Sequence, residues 1–309
     1  MSKVTIVGAG FVGSTAALLV EQKGLADVVL LDVADGVARG KALDMRQMRA
    51  MDPGMSLVTG TGDYADSAGS DLVVITAGVA RKPGMLREEL IAINSGVVSS
   101  VIDAALAASP EALIMCVTNP LDVMTWLAHK RSGLPAQRVF GMGGVLDSAR
   151  LVASISAELD VAIAEVEGLV IGAHGEGMVP LVDEATVGGR PLREVATDAQ
   201  LDAIVEHTVH GGAEIVALLQ TGSAYFAPGA AIAKMVEACL TDSDEVMSVC
   251  AWLEGEYGLR DLYLNVPVRL GRQGVREVVE LKISDAERAA LEESAASVRA
   301  QLSEAGLRS

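Results

Sequence analysis

Lys3-Val4-Thr5-Ile6-Val7-Gly8-Ala9-Gly10-Phe11-Val12-Gly13 runs a short apolar strand into three glycines spaced G-x-G-x-x-G, and a helix pattern follows through Ser14 to Gln22. In that setting the first glycine permits a tight turn, and the second lets backbone approach a pyrophosphate. The third lets helix pack on strand, while the helix N-terminus offers amide donors and partial positive charge. A second strand at residues 28–31 ends at Asp32, 22 residues after Gly10. A carboxylate there accepts hydrogen bonds from an adenosine ribose and repels a 2′-phosphate, so the expected cofactor is NAD. Taken alone, the glycines also fit an ordinary tight turn and Asp32 a solvated strand end; the strand, helix and acid in sequence favour the dinucleotide reading.

Outward from this stretch the alternation continues. Residues 36–51 read as helix, 57–59 and 71–76 as strands, Arg87–Ala108 as helix, 112–117 as strand, 121–131 as helix and 138–140 as a sixth strand. Six strands with helical crossovers predict an α/β fold with a doubly wound parallel sheet, whose ligands lie beyond the carboxyl ends of the strands. A dinucleotide domain over 1–144 and an α+β catalytic domain over 145–309 are expected, packed closely with a cleft between them. The second half reads as longer helices and shorter strands. It includes a helix at Asp198–Leu219 interrupted by Gly211-Gly212, and a capping box, Ser284-Asp285-Ala286-Glu287, opens a last helix with the stripe Leu291, Ala295, Val298, Leu302.

Two strand ends are chemically unusual. After Asp71-Leu72-Val73-Val74-Ile75-Thr76 comes Ala77-Gly78-Val79-Ala80-Arg81-Lys82-Pro83-Gly84-Met85-Leu86-Arg87, a loop whose cations suggest a lid closing over an anion; Lys82 reads as a surface charge. Val117-Thr118-Asn119-Pro120 places an amide at a strand terminus, able to contact a ligand or to cap the next helix. Further on, Val145-Leu146-Asp147-Ser148-Ala149-Arg150 is amphipathic, with Asp147 and Arg150 about a turn apart on one face. Ile171-Gly172-Ala173-His174-Gly175-Glu176-Gly177 ends an apolar strand in a glycine-flanked turn that leaves the imidazole little local cover. His129, His207 and His210 fall within helical stretches and read as structural.

The chain has 309 residues, 50% of them hydrophobic, enough for one large or two medium domains with a core. Residues 1–150 hold 13 Lys and Arg against 15 Asp and Glu; the remainder holds 11 against 26, so most of the net charge of −17 lies in the second half. That acidity disfavours nucleic acid and anionic lipid as partners. Cys116, Cys239 and Cys250 are widely spaced in apolar stretches, which argues for reduced thiols and against a disulfide frame or a metal site. With no leader signature and no apolar run of bilayer-spanning length evident, a cytoplasmic location is expected.

Gly8 to Gly13, Ala77 to Arg87, Thr118-Asn119-Pro120, Val145 to Arg150 and Gly172 to Pro180 together resemble the lactate/malate dehydrogenase family, in order and over essentially the whole chain. The resemblance implies a Rossmann NAD-binding domain followed by a catalytic domain, in a homodimer or homotetramer. His174 is then the proton acceptor and donor and Asp147 its partner. Arg150 clamps the carboxylate beside the reacting carbon, Arg81 and Arg87 are loop arginines, and Asn119 contacts both substrate and cofactor. Implied cofactor contacts are Gly8, Gly10, Phe11, Val12, Gly13, Asp32, Asn94, Val117 and Asn119, with no metal. Ser223 is an expected small pocket residue, or equally a plain helix-end serine. Two departures are visible: Ala173 and Glu176 stand where the family's histidine motif usually has Gly and Asp.

The chemistry suits those roles. Oxidising a secondary alcohol removes a hydride and a proton; NAD+ takes the first and a neutral imidazole the second. Asp147 selects the tautomer, Arg150 grips a carboxylate with two prongs, and Arg87 polarises the carbonyl oxygen. Arg81 points to a second carboxylate, hence to malate and oxaloacetate, because a desolvated carboxylate needs a counter-charge. A lactate or other 2-hydroxyacid dehydrogenase is the nearest alternative. An NAD-dependent glycoside hydrolase on a related scaffold is a more distant one, and it needs a divalent metal held by Cys and His.

Overall fold

A computed structural model describes residues 2–80 and 85–308. Six parallel strands come from the first half: β1 (Lys3–Val7), β2 (Asp27–Leu31), β3 (Val58–Thr61), β4 (Leu72–Ile75), β5 (Leu113–Cys116) and β6 (Val139–Gly141), in the order β3-β2-β1-β4-β5-β6. The order reverses at β1 and β4, which pair in parallel with Val7 beside Ile75. Their side chains are buried on both faces, as continuous Val/Ile/Leu strands require, and four helices cover them: α1 (Phe11–Gln22), α2 (Asp35–Met48), α3 (Arg87–Ala108) and α4 (Leu121–Ser132). Helix α3 has the length and apolarity of a membrane span, contrary to the sequence expectation. It behaves as a core helix, burying Leu90, Ile91, Val98, Val101 and Ile102.

The second half begins with α5 (Gly144–Leu159). Three short strands, β7 (Val166–Glu167), β8 (Val170–Gly172) and β9 (Met178–Pro180), follow, then the small pair β10 (Thr186–Val187) and β11 (Arg190–Pro191). Helices α6 (Leu192–Val195), α7 (Asp198–Leu219) and α8 (Phe226–Thr241) come next. The chain finishes with β12 (Val246–Glu254), β13 (Arg260–Gly271), β14 (Gly274–Val278) and α9 (Asp285–Glu304). The expectation of short strands here is corrected: β12 and β13 are the longest described, at 9 and 12 residues. They form an antiparallel ribbon that can be long because it needs no crossover.

The two halves share one sheet. Gly141 of β6 pairs with Cys250 of β12, and the sheet continues through β13 to β8 and β9. Added at Gly141, a Cβ would lie 2.6 Å from Thr125 Oγ1 and 3.0 Å from Cys250 Cβ, so the junction is closely packed. The expected interruption at Gly211-Gly212 does not occur; α7 is continuous, and the pair gives room to a neighbour. The last helix starts as expected: Ser284 accepts from the Glu287 amide, and Leu291, Ala295, Val298 and Leu302 are buried.

Candidate active site

The glycine-rich turn leaves β1 against the end of β4. At Gly13 a Cβ would fall 1.9 Å from the Gly8 carbonyl oxygen, so only glycine lets α1 close on the turn. At Gly10 nothing lies within 4 Å of such an atom, and no side chain caps α1. The cradle is therefore open where a pyrophosphate would approach the helix N-terminus, and it fits a dinucleotide. Asp32 ends β2 beside it: one carboxylate oxygen accepts from Ala9 N at 2.7 Å and the other from Ala34 N at 2.9 Å, with lone pairs remaining for a ribose. The sequence did not single out Lys41, whose ammonium donates to Ala9 O at 2.7 Å and lies 5.5 Å from the centre of the Phe11 ring. Phe11 is exposed and stacks near Tyr225; Val12 packs partly into the core.

Beyond β4 and β5, Asn94 is fully buried on α3 and its amide is engaged in three bonds. It accepts from Val79 N at 2.9 Å and donates to Val79 O at 3.1 Å and to Asn119 O at 2.7 Å. Expected as a cofactor contact, it is seen here holding the loops after β4 and β5 together. Val117 is half-buried, and Asn119 is exposed ahead of a cis peptide to Pro120. Arg81, with Lys82, falls outside the described residues. Ser223 is exposed in the turn between α7 and α8.

Asp147 lies in the first turn of α5 and is 1% exposed. One of its oxygens takes Nδ1 of His174 at 2.8 Å, and the other takes Nη1 of Arg150 at 2.9 Å. Asp147 and Arg150, a turn apart on α5, and His174, 27 residues further on in the turn after β8, therefore meet at one carboxylate. His174 follows β8 in a turn that Gly172 enters at φ +88°, where a Cβ would stand 2.6 Å from Gly177 O. Burial pushes the His174 imidazole down and Arg150 adds to this, but the charge and hydrogen bond of Asp147, helped by Asp122, outweigh both. The group sits above its ordinary value.

The guanidinium of Arg150 lies over α7 where Gly212 leaves space, a Cβ there being 3.2 Å from Nη2. Arg87 starts α3 and reaches the same turn from the other side. Its guanidinium is 3.8 Å from Glu176, with the side chains 44% and 91% exposed.

A doubly wound sheet with an open glycine-rich cradle, followed by an imidazole held on a buried carboxylate beside a second arginine, defines a nicotinamide-dependent dehydrogenase acting on a carboxylate-bearing alcohol. Residues 2–141 match the lactate/malate dehydrogenase NAD binding domain, and residues 144–306 match the lactate/malate dehydrogenase alpha/beta C-terminal domain. The chain belongs to the lactate/malate dehydrogenase family, and its cofactor is NAD. A malate dehydrogenase from Trichormus variabilis is 49% identical over 299 residues, covering 97% of this chain and 92% of its relative. The solved malate dehydrogenase from Salinibacter ruber superposes with a TM-score of 0.93 at 45% identity over 98% of this chain and 97% of that one. A lactate dehydrogenase from Cryptosporidium parvum, solved with lactic acid and NAD, gives 0.95 at 40% identity over 99% and 98%.

Proposed function

We propose that the protein is an NAD-dependent malate dehydrogenase, interconverting malate with NAD+ and oxaloacetate with NADH. The carrying observation is the shared Asp147 carboxylate, which fixes His174 and Arg150 in one geometry. The similarity to malate dehydrogenases along nearly the full chain supports it.

Bound in the cradle at Gly8, Gly10 and Gly13, NAD+ supplies the hydride acceptor. Asp147 on Nδ1 leaves the other ring nitrogen of His174 to take the hydroxyl proton as malate is oxidised. The imidazolium then formed is stabilised by the same carboxylate. Arg150 offers its remaining N–H donors to the carboxylate beside the reacting carbon. Arg87, on the rim, meets the carbonyl oxygen as negative charge develops. In this reading Arg81 answers the second carboxylate of the dianion, and Asn119 contacts substrate and cofactor.

The assay is reduction of oxaloacetate against pyruvate with NADH. Oxaloacetate is the expected preferred substrate, and a preference for pyruvate would overturn the substrate assignment in favour of a lactate dehydrogenase. Because the His174 pKa is raised, kcat/KM for oxaloacetate reduction, which needs imidazolium, falls as pH rises through a midpoint above the ordinary histidine value. Malate oxidation rises through the same midpoint. Two bends on the same side would remove His174 from its role.

The reading includes a homo-oligomer in the cytoplasm. The assembly is supported by an apolar groove of about 750 Å³ on the face of α5 opposite Asp147, lined by Val145, Val152, Ile163, Val166, Leu169 and Met247. Sedimentation velocity tests the assembly.

A further inference from the structure

Three consecutive main-chain groups at the catalytic turn are each held by a buried side chain from a different element. The Gly172 carbonyl accepts from Asn265 Nδ2 of β13 at 2.9 Å. The Ala173 amide donates to Ser294 Oγ of α9 at 2.7 Å. The His174 amide donates to Asp122 Oδ2 of α4 at 3.1 Å. Asn265 also accepts from Gly144 N at 2.7 Å, so it ties the start of α5 to the end of β8. Two of the three holds are neutral. The third is a carboxylate only 5% exposed, with no arginine or lysine bonded to it among the described residues, where an amide or hydroxyl could accept the same bond.

We propose that Asp122 is a positioning residue of the proton-transfer site, fixing the His174 backbone and placing a second negative charge beside the imidazolium. The proposal rests on the reading of His174 as the proton-exchanging group. The imidazole is then faced by Asp147 and Arg150 from α5 and by Asp122 from α4. Asp122 in turn is faced by His174, by Cys250 of β12, whose Sγ is 3.5 Å from Oδ1, and by Cys116 of β5. Burial raises the Asp122 carboxyl, and the charge and amide of His174 and the Cys250 thiol partly offset the rise, leaving it at about 6; above that pH the carboxylate carries its charge beside His174.

The probe is an NMR titration of the apo-protein, whose four histidines allow His174 to be assigned with His174→Gln. Asp122→Asn keeps an acceptor for the His174 amide and removes the charge; its His174 midpoint is expected below that of the parent chain. Ser294→Ala, which removes a neutral hold, is expected to slow turnover while leaving the midpoint in place. The oxaloacetate-reduction limb should move with the Asp122→Asn titration, and above both midpoints its rate should fall about tenfold per pH unit of displacement. An Asp122→Asn midpoint equal to the parent's, or equal shifts in both variants, overturns the proposal. Should Asp122→Asn fail to fold, Cys250→Ala, which removes a donor to the carboxylate and so alters the charge it presents, is expected to shift the midpoint, and an unmoved midpoint overturns the proposal. The titration needs no substrate: a parent chain that reduces neither oxaloacetate nor pyruvate would refute the functional reading while leaving this test readable.

Discussion

Two arginines flank the catalytic turn under opposite conditions. Arg150 is 18% exposed and held at 2.9 Å by a carboxylate that is itself 1% exposed, with a helix backbone beneath its guanidinium. Arg87 is 44% exposed and meets an almost fully exposed Glu176 at 3.8 Å, a contact too open to hold it. Arg150 is in place before substrate arrives, which serves orientation. Arg87 can still move, which serves a group that must engage as charge develops and excludes water when it does. One site thus has a fixed half and an arriving half.

The hardest blow to the fixed half is Asp147→Asn, because both of its members rest on that carboxylate. The amide keeps the volume but loses the charge and presents a donor to one partner, so His174 loses its tautomer preference and Arg150 its anchor. Turnover is expected to fall by roughly 10³- to 10⁴-fold, with a raised KM for oxaloacetate and a lower His174 midpoint. Steady-state kinetics across pH checks all three. A loss confined to KM would mean that the carboxylate only binds.

Arg87→Gln attacks the arriving half. A donor that acts on developing charge contributes to kcat, so a loss of about 10²- to 10³-fold in kcat is expected with little change in melting temperature, the side chain being exposed. Arg150→Gln, by contrast, should raise KM most and lower the melting temperature, because it strips one partner from buried Asp147. Matching kinetic and thermal effects in the two variants would erase the distinction between the halves.

What the sequence made legible follows the same division. Asp147 and Arg150 lie three residues apart on one helix, so local spacing put them on one face; His174 stands in a glycine-flanked turn 27 residues from Asp147, and the family resemblance joined it to them. The six parallel strands were readable because strands buried on both faces appear as unbroken apolar runs. Asp122 was not legible: in its own segment it is one more acid in a helix's first turn, and its partner lies 52 residues away. Asn265 and Ser294 reach the turn across 93 and 121 residues, and no periodicity announces such contacts. The length of β12 and β13 was missed because polar residues break or cap their apolar runs: Asn265 divides residues 262–264 from Val266 in β13, and Glu254 and Arg260 lie at the facing ends of the ribbon. The two glycines of α7 were legible as small but not as the floor under Arg150.

That floor offers a gentler perturbation. At Gly212 a Cβ would stand 3.2 Å from Nη2 and 3.5 Å from Cζ of Arg150, contacts that the guanidinium relieves by shifting a few tenths of an ångström. Alanine within a helix is favoured over glycine by up to about 1 kcal/mol, so Gly212→Ala should leave the melting temperature unchanged or raise it. The displaced guanidinium should nonetheless raise the KM for oxaloacetate on the order of tenfold, because small misplacements of orienting groups are costly. Stability and affinity moving in opposite directions, read by thermal melts and initial rates, is the signature of a preset arginine.

The smallest expected effect separates the halves from the other side. Glu176 stands where the family's histidine motif usually has the shorter Asp, and its extra methylene carries its carboxylate to Arg87. Between exposed groups that pairing contributes at most about 1 kcal/mol and is screened by salt. It still competes with a dianionic substrate for the same guanidinium. Glu176→Gln should therefore lower the KM for oxaloacetate by no more than about fivefold at low ionic strength. The gap to the parent chain should close as salt is added, and kcat should be unaltered, since the substrate has already displaced Glu176 when hydride moves. Initial rates at two salt concentrations decide it. A fall in kcat would place Glu176 on the catalytic side of the turn, and an unchanged KM at low salt would mean that Arg87 is unencumbered before substrate binds.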